Sequence, residues 1–232
     1  VWDDLEEHIP EQKPGYGQYP SKQGGYGNQQ GFQKKPWNGG GFQKKPMRKM
    51  WQEKDIDVSN TSIYMPCSLA FNNDAPDLGD VYDQIIDKLN QHKFTVRLGV
   101  NGPATEKFEK GIQQTELILP WKGFNERESK FTFNPDEAYY VAKLYQPNYE
   151  SIKDGAKIFL ATNVRLIMGQ KLNSPTLFLI TWSQDGCEHA RDRSIKTGNV
   201  GHVIAIATAL RLPIFNLARP DALQRLLSYI ED

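Results

Sequence analysis

From residue 61 onward the chain switches between short apolar runs and longer stretches with an apolar residue every third or fourth position. Short runs bounded by turn-forming residues predict strands, and the longer spacing predicts amphipathic helices. Strands are predicted at 61–65 (TSIYM), 94–98 (FTVRL), 116–119, 174–182 (SPTLFLITW) and 212–217 (LPIFNL). A helix is predicted at 78–92, where Val81, Ile85, Ile86 and Leu89 share one face. Another is predicted at 104–113, with Pro103 suited to its first turn and Gly111 near its end. Helices also follow at 135–145, with Asn134 as N-cap, and at 153–168, with Ile158, Phe159, Val164, Ile167 and Met168 as candidate core. The last two are 197–210 and 220–230, the latter capped by Arg219 or Asp221. Residues 66–77, rich in Asn, Asp and Pro, predict a loop; 99–103 predict a turn and 148–152 a single helical turn. Strands separated by helices predict an α/β fold: a doubly wound, mostly parallel sheet with helices on both faces.

Residues 13–46 break this pattern. They are Gly-, Gln-, Tyr- and Lys-rich and repeat the hexad GFQKKP at 31–36 and 41–46. Such a composition buries too little apolar surface to offset its ordering entropy, so residues 1–55 are expected to be a disordered arm and 56–232 a folded domain. Zero net charge conceals an asymmetry. Residues 1–12 carry five acids (Asp3, Asp4, Glu6, Glu7, Glu11), residues 13–50 carry eight Lys or Arg and no acid, and the remainder is mildly acidic. The arm therefore suits single-stranded DNA or RNA. Lys34, Lys35, Lys44, Lys45 and Arg48 would meet phosphates, and Trp37 and Phe42, with Tyr16, Tyr19, Tyr26 and Phe32, would stack on bases. A solubilising or self-associating tether is the competing reading. Two widely separated cysteines, Cys67 and Cys187, imply no disulfide framework and fit a reducing cytoplasm. No apolar run reaches membrane-spanning length, and the acidic first residues are unlike a signal peptide.

The chemistry concentrates in 174–216, a strand–loop–helix–strand unit whose helix opens on Gly198 and Gly201. In such units a phosphate sits on the first-turn N–H groups, here with Lys196, Thr197 and Asn199 alongside. The alternative for these glycines is close packing of helix on sheet. No Walker-type phosphate loop and no Gly-x-Ser-x-Gly elbow is present. Cys187, Glu188 and His189 form the one close Cys/His grouping, with His202 further on; no second pair stands at metal-ligand spacing, so no metal site is expected. Asp185, Glu188 and Asp192 make an acidic loop that reads as a solvated face.

Several motifs stand in a recognisable order: LPWKGFN at 119–125, Asn163 on a helix, TWSQDG at 181–186, KTGNVG at 196–201 and IFNL at 214–217. Over roughly 61–217 the chain resembles the SLOG superfamily of Rossmann-like domains. That superfamily includes DNA-processing-protein-A-like, Lonely Guy-like and molybdenum-cofactor-carrier-like proteins. The similarity is closest to small phage-encoded members, described as recombination-mediator-like. The resemblance implies a nucleotide-type ligand at the strand ends, and residence in the host cytoplasm if the chain is phage-encoded. It places Ser68 in the first loop, Arg97 and Gly99 in the second, and Trp121, Gly123 and Asn125 in the third. Asn163, Trp182 and Asp185 follow near the late glycine loop. Trp121 or Trp182 would stack on a base and Asp185 or Asn125 would bond polar edges, with plain core packing as the alternative for each tryptophan. The chain departs from the family at two loops. RLGVNGPAT at 97–105 replaces a glycine-rich motif, and PCSL at 66–69 lacks a glycine. A Val at a glycine position obstructs close backbone approach.

These readings lead to non-catalytic binding of a nucleotide or nucleotide-derived ligand, with no other cofactor expected and a homo-oligomer allowed. A single-stranded nucleic-acid-binding accessory protein acting through the arm is the second expectation. A nucleotide phosphoribohydrolase using Arg97 with Glu106 or Glu109 is the third.

Overall fold

The computed structural model describes residues 65–99 and 102–231. The expected arm (1–55), its candidate nucleic-acid contacts Lys34, Lys35, Trp37, Phe42, Lys44, Lys45 and Arg48, and residues 61–64 of the first expected strand lie outside the described residues.

Five strands form one all-parallel sheet: β1 (Met65–Phe71), β2 (Phe94–Leu98), β3 (Thr115–Leu117), β4 (Leu179–Trp182) and β5 (Ile214–Asn216), in the order β3-β2-β1-β4-β5. The helices are α1 (Asp80–Gln91), α2 (Gly102–Gly111), α3 (Asp136–Tyr145), α4 (Asp154–Met168), α5 (Val200–Ala209) and α6 (Ala222–Glu231). The chain steps outward from β1 to β3, then returns through α3 and α4 to lay β4 on the other side of β1. This is a Rossmann-like, doubly wound arrangement, and its winding reverses between the ends of β1 and β4.

Two apolar layers flank the sheet. On one face Cys67, Leu69 and Phe71 of β1 join Val96, Phe178, Ile180 and Phe215 beneath α1, α2 and α6. Phe71, Tyr82 and Phe108 form an aromatic trio there, with centroids 5.2–5.9 Å apart. On the other face Ala70, Leu179 and Ile214 pack under α4 and α5, and α3 lies against α4. Each fully buried Leu, Ile or Phe contributes about 1.5–3 kcal/mol to this sandwich. Because α5 is covered nearly all round, its sequence VGHVIAIATA is apolar on every side rather than on one stripe.

The first strand corrects the sequence reading. It runs through 66–71, which was expected to be loop, because a central parallel strand is buried on both faces and need not alternate. Pro66 sits near its start, where a missing N–H is tolerated, and Ser68 satisfies its hydroxyl on Leu166 O at 2.7 Å. Asn134 is not the cap of α3: Pro135 holds that position. Asn134 is instead buried, donating to Ile158 O and Thr162 Oγ1, each at 3.2 Å, and accepting from Arg165 Nη1 at 2.8 Å. Strand β4 begins at Leu179 rather than 174, and Ile158 and Phe159 of α4 are only half-buried.

Candidate phosphate cleft at the start of α5

The loop between β4 and α5 is built around one carboxylate. Asp185 Oδ1 accepts from Ser183 Oγ at 2.8 Å and Cys187 N at 3.3 Å; Oδ2 accepts from Ser194 Oγ and Thr197 Oγ1, both at 2.6 Å. Partial burial works to raise its pKa, but the Ser194, Thr197 and Ser183 hydroxyls and the Cys187 N–H outweigh it and hold the carboxyl at about 2. Asp185 is therefore an ionised knot that fixes 183–197. Ser194 and Thr197 add a reciprocal capping box, Ser194 N–H to Thr197 Oγ1 at 2.8 Å and Lys196 N–H to Ser194 Oγ at 3.1 Å. Glu188 anchors the same loop to β5 and α6 through Asn216 N–H at 2.8 Å and Arg225 Nη2 at 2.6 Å.

At the point of reversed winding Asn72, just past β1, meets this loop. Its Nδ2 donates to Thr197 O at 2.9 Å and its Oδ1 accepts from Val200 N–H at 3.3 Å. The side chain is buried and lies directly on Gly198. A Cβ at Gly198 would sit 2.9 Å from Asn72 Nδ2, and the backbone there has φ +60° and ψ −146°. Both facts require glycine. Asn72 thus fills the sheet side of the late loop, where the resemblance would seat a ligand between the first and last loops.

The outer side of the loop is open. A cleft of about 250 Å³ is lined by Gln146, Pro147, Arg193, Ser194, Thr197, Gly198, Asn199, Gly201 and His202. The N–H groups of Gly198 and Asn199 have no acceptor among the described residues, whereas Val200 N–H is taken by Asn72 and Gly201 N–H by Gly198 O. Arg193 Nε and Nη1 donate to Ala190 O (3.1 Å) and Gly201 O (3.2 Å); among the described residues no carboxylate pairs with it. Two unpartnered N–H groups, the positive end of α5 and the Arg193 guanidinium thus meet at this cleft, with the ionised Asp185 carboxylate one hydrogen bond behind its Ser194 and Thr197 hydroxyls. Lys196 is exposed beside it. His202 is 3% exposed, and its Nε2 lies 3.1 Å from Ala142 O. A carbonyl only accepts, so Nε2 carries the proton and Nδ1 is an acceptor, buried and without a partner. Burial, more than the neighbouring Arg193, lowers its pKa to about 4 against the opposing pull of Ala142 O, so the ring is neutral at pH 7.

The remaining expected site residues lie elsewhere. Ser68 is fully buried on Leu166 O. Arg97 is 1% exposed, pairs with Glu116 at 2.8 Å and donates to Ser174 O at 2.7 Å. Gly99 and Asn163 share a pocket of only about 20 Å³ with Pro120, Phe124 and Phe159. Trp121 packs edge-on against Phe124 (4.8 Å) and Phe159 (5.7 Å). Gly123 and Asn125 are exposed in a left-handed turn. Trp182 packs against the apolar layer beneath α1 and α6. Of the expected residues, Thr197, Gly198, Asn199 and Gly201 are the ones the cleft brings together. Arg193 and His202 complete it and Asn72 shapes it; none of the three stands in a motif, so only the fold reveals their roles.

Among the described residues no group of three His, Cys, Asp or Glu side chains is placed to hold a metal ion, and both cysteines are free and buried. No helix among them is long and apolar enough to cross a membrane. Comparison of the chain with protein-family models, with curated proteins and with solved structures finds no match.

Proposed function

We propose that the domain is a non-catalytic binding module that takes the phosphate of a nucleotide or nucleotide-derived ligand in the cleft at the start of α5. The observation that carries this reading is the pair of unpartnered N–H groups, Gly198 and Asn199, lining one cleft at a helix N-terminus with Arg193, which pairs with no carboxylate among the described residues. The groups a phosphoribohydrolase would need are engaged elsewhere: Arg97 with Glu116, Glu109 with Arg127 and Glu106 with Lys110. The SLOG relationship is likewise a proposal, resting on the motifs at 119–125 and 181–186. Calorimetric titration of the full chain with ribose 5-phosphate tests the cleft. Saturable binding is expected, and Asn199→Glu, which places a carboxylate beside the orphan N–H groups without opposing the helix dipole, abolishes it. Absence of binding in the wild type, or undiminished binding in the variant, refutes the reading.

A second reading, single-stranded nucleic-acid binding through the basic aromatic residues 13–50, is favoured by the charge asymmetry of the chain. It predicts steeply salt-dependent binding to an unstructured oligonucleotide, lost when residues 1–50 are deleted. Unchanged affinity after the deletion refutes it.

A further inference from the structure

A groove of about 400 Å³ runs beside α5, and Leu144, Pro147, Ala190, Arg193, Ala205 and Ala209 are among the residues that line it. On the α3 side Leu144 is 54% exposed, and Tyr140, one turn earlier on the same helix, is 65% exposed. These two give α3 an outward apolar stripe that nothing among the described residues covers. The loop on the other side is basic. Residues 189–197 carry Arg191, Arg193 and Lys196 against a single acid, Asp192, and none of the three cations pairs with a carboxylate among the described residues. An apolar groove with a basic rim favours an acidic partner bearing large apolar side chains and disfavours a basic one.

One stretch of the chain itself has that chemistry. Residues 1–12 (VWDDLEEHIPEQ) carry five acids and no Lys or Arg. Trp2, Leu5 and Ile9 stand at i, i+3 and i+7, the spacing of the anchors that an apolar groove takes from one side of a short helix, and Pro10 closes the pattern. The other stretches preceding β1 do not match: 13–50 are basic, and 51–64 lack the anchor spacing. Residues 13–64 separate the acidic stretch from β1, a length of chain that extends to roughly 170 Å and so reaches any point on the domain. We propose that residues 2–9 dock in this groove of their own domain. Trp2, Leu5 and Ile9 pack against Leu144, Ala205 and Ala209, and the acids lie toward Arg191 and Arg193. The docking stands whether or not the neighbouring cleft takes a phosphate.

A spin label tests it. Both native thiols are buried, so in the full chain carrying Val1→Cys a nitroxide attaches at the new thiol. With that chain isotopically labelled, the amide resonances of Leu144, Thr208 and Ala209 should lose most of their intensity and regain it when the nitroxide is reduced. Those of α1, on the opposite face of the sheet, should keep theirs. Adding Leu5→Asp should restore the groove resonances, and so should Leu144→Asp, a change at an exposed position that spares the core. Undiminished groove resonances in the spin-labelled chain, or a loss that survives either substitution, overturn the proposal. Full loss in a mixture of nitroxide-bearing chain with isotopically labelled, nitroxide-free chain makes a second copy the occupant and overturns it as well.

Discussion

The carboxyl edge of the sheet has two halves that solve the same problem differently. Beyond β3 the chain collapses on itself. Trp121, Phe124 and Phe159 fill the space with edge-on aromatic contacts, and Gly99 and Asn163 keep a void of only about 20 Å³. Beyond β4 the loop is held open by polar cross-links. Asp185 gathers three hydroxyls and an N–H, and the cleft beside it keeps about 250 Å³. Apolar filling stabilises a loop by closing it. A charged knot stabilises a loop while leaving its neighbouring N–H groups exposed. The phosphate site we propose therefore lies in the second half, on its outer side, because Asn72 seals the inner side.

The largest effect belongs to Gly198→Val. It forces a β-branched residue to φ +60° and drives a Cβ into Asn72, so unfolding by denaturant should show a loss of about 3 kcal/mol. A value near zero would mean that the open half is not rigid. Acid should strike the same half. The folded pKa of His202, about 4, lies below the ordinary His value, so between these two the unfolded chain binds the extra proton. Stability is full above about pH 6.5 and falls as pH drops toward 4, by about 3 kcal/mol from this group. Replacing His202 by Gln should remove that slope in a series of melts across the window. Below pH 4 a further decline is expected as Asp185, held at about 2, takes up its proton and the knot loosens. The smallest effect is in the closed half. Phe124→Ala loses two half-buried ring contacts and should cost about 1–2 kcal/mol without changing ribose 5-phosphate affinity. A change in affinity there would extend the site into the half described as closed.

Much of this fold can be read from apolar spacing. The four later strands and all six helices lie where the pattern puts them, with ends shifted by a few residues at several of them. The first strand misleads because PCSLAF carries a proline and a serine, and their polarity is answered only by partners distant in sequence. The late glycine loop is visible as a motif, and the cleft does include it. Its partners are not visible. Asn72 reaches Thr197 across 125 residues, and His202 meets Ala142 across 60. Arg165, wholly buried against Asn134, Gln170 and the Leu119 carbonyl, with its pKa lowered by burial to about 10, has the spacing of a surface residue. Contacts of that kind follow from the winding of the chain, which no local pattern encodes.

The contrast between the two halves can be tested in one experiment. Inorganic phosphate added to the isotopically labelled full chain should shift the backbone amide resonances of Gly198 and Asn199 most, saturably, and leave those of Gly99 and Gly123 in place. Shifts centred on Gly99 and Gly123, or none at Gly198 and Asn199, would contradict the placement of the anion site at the start of α5.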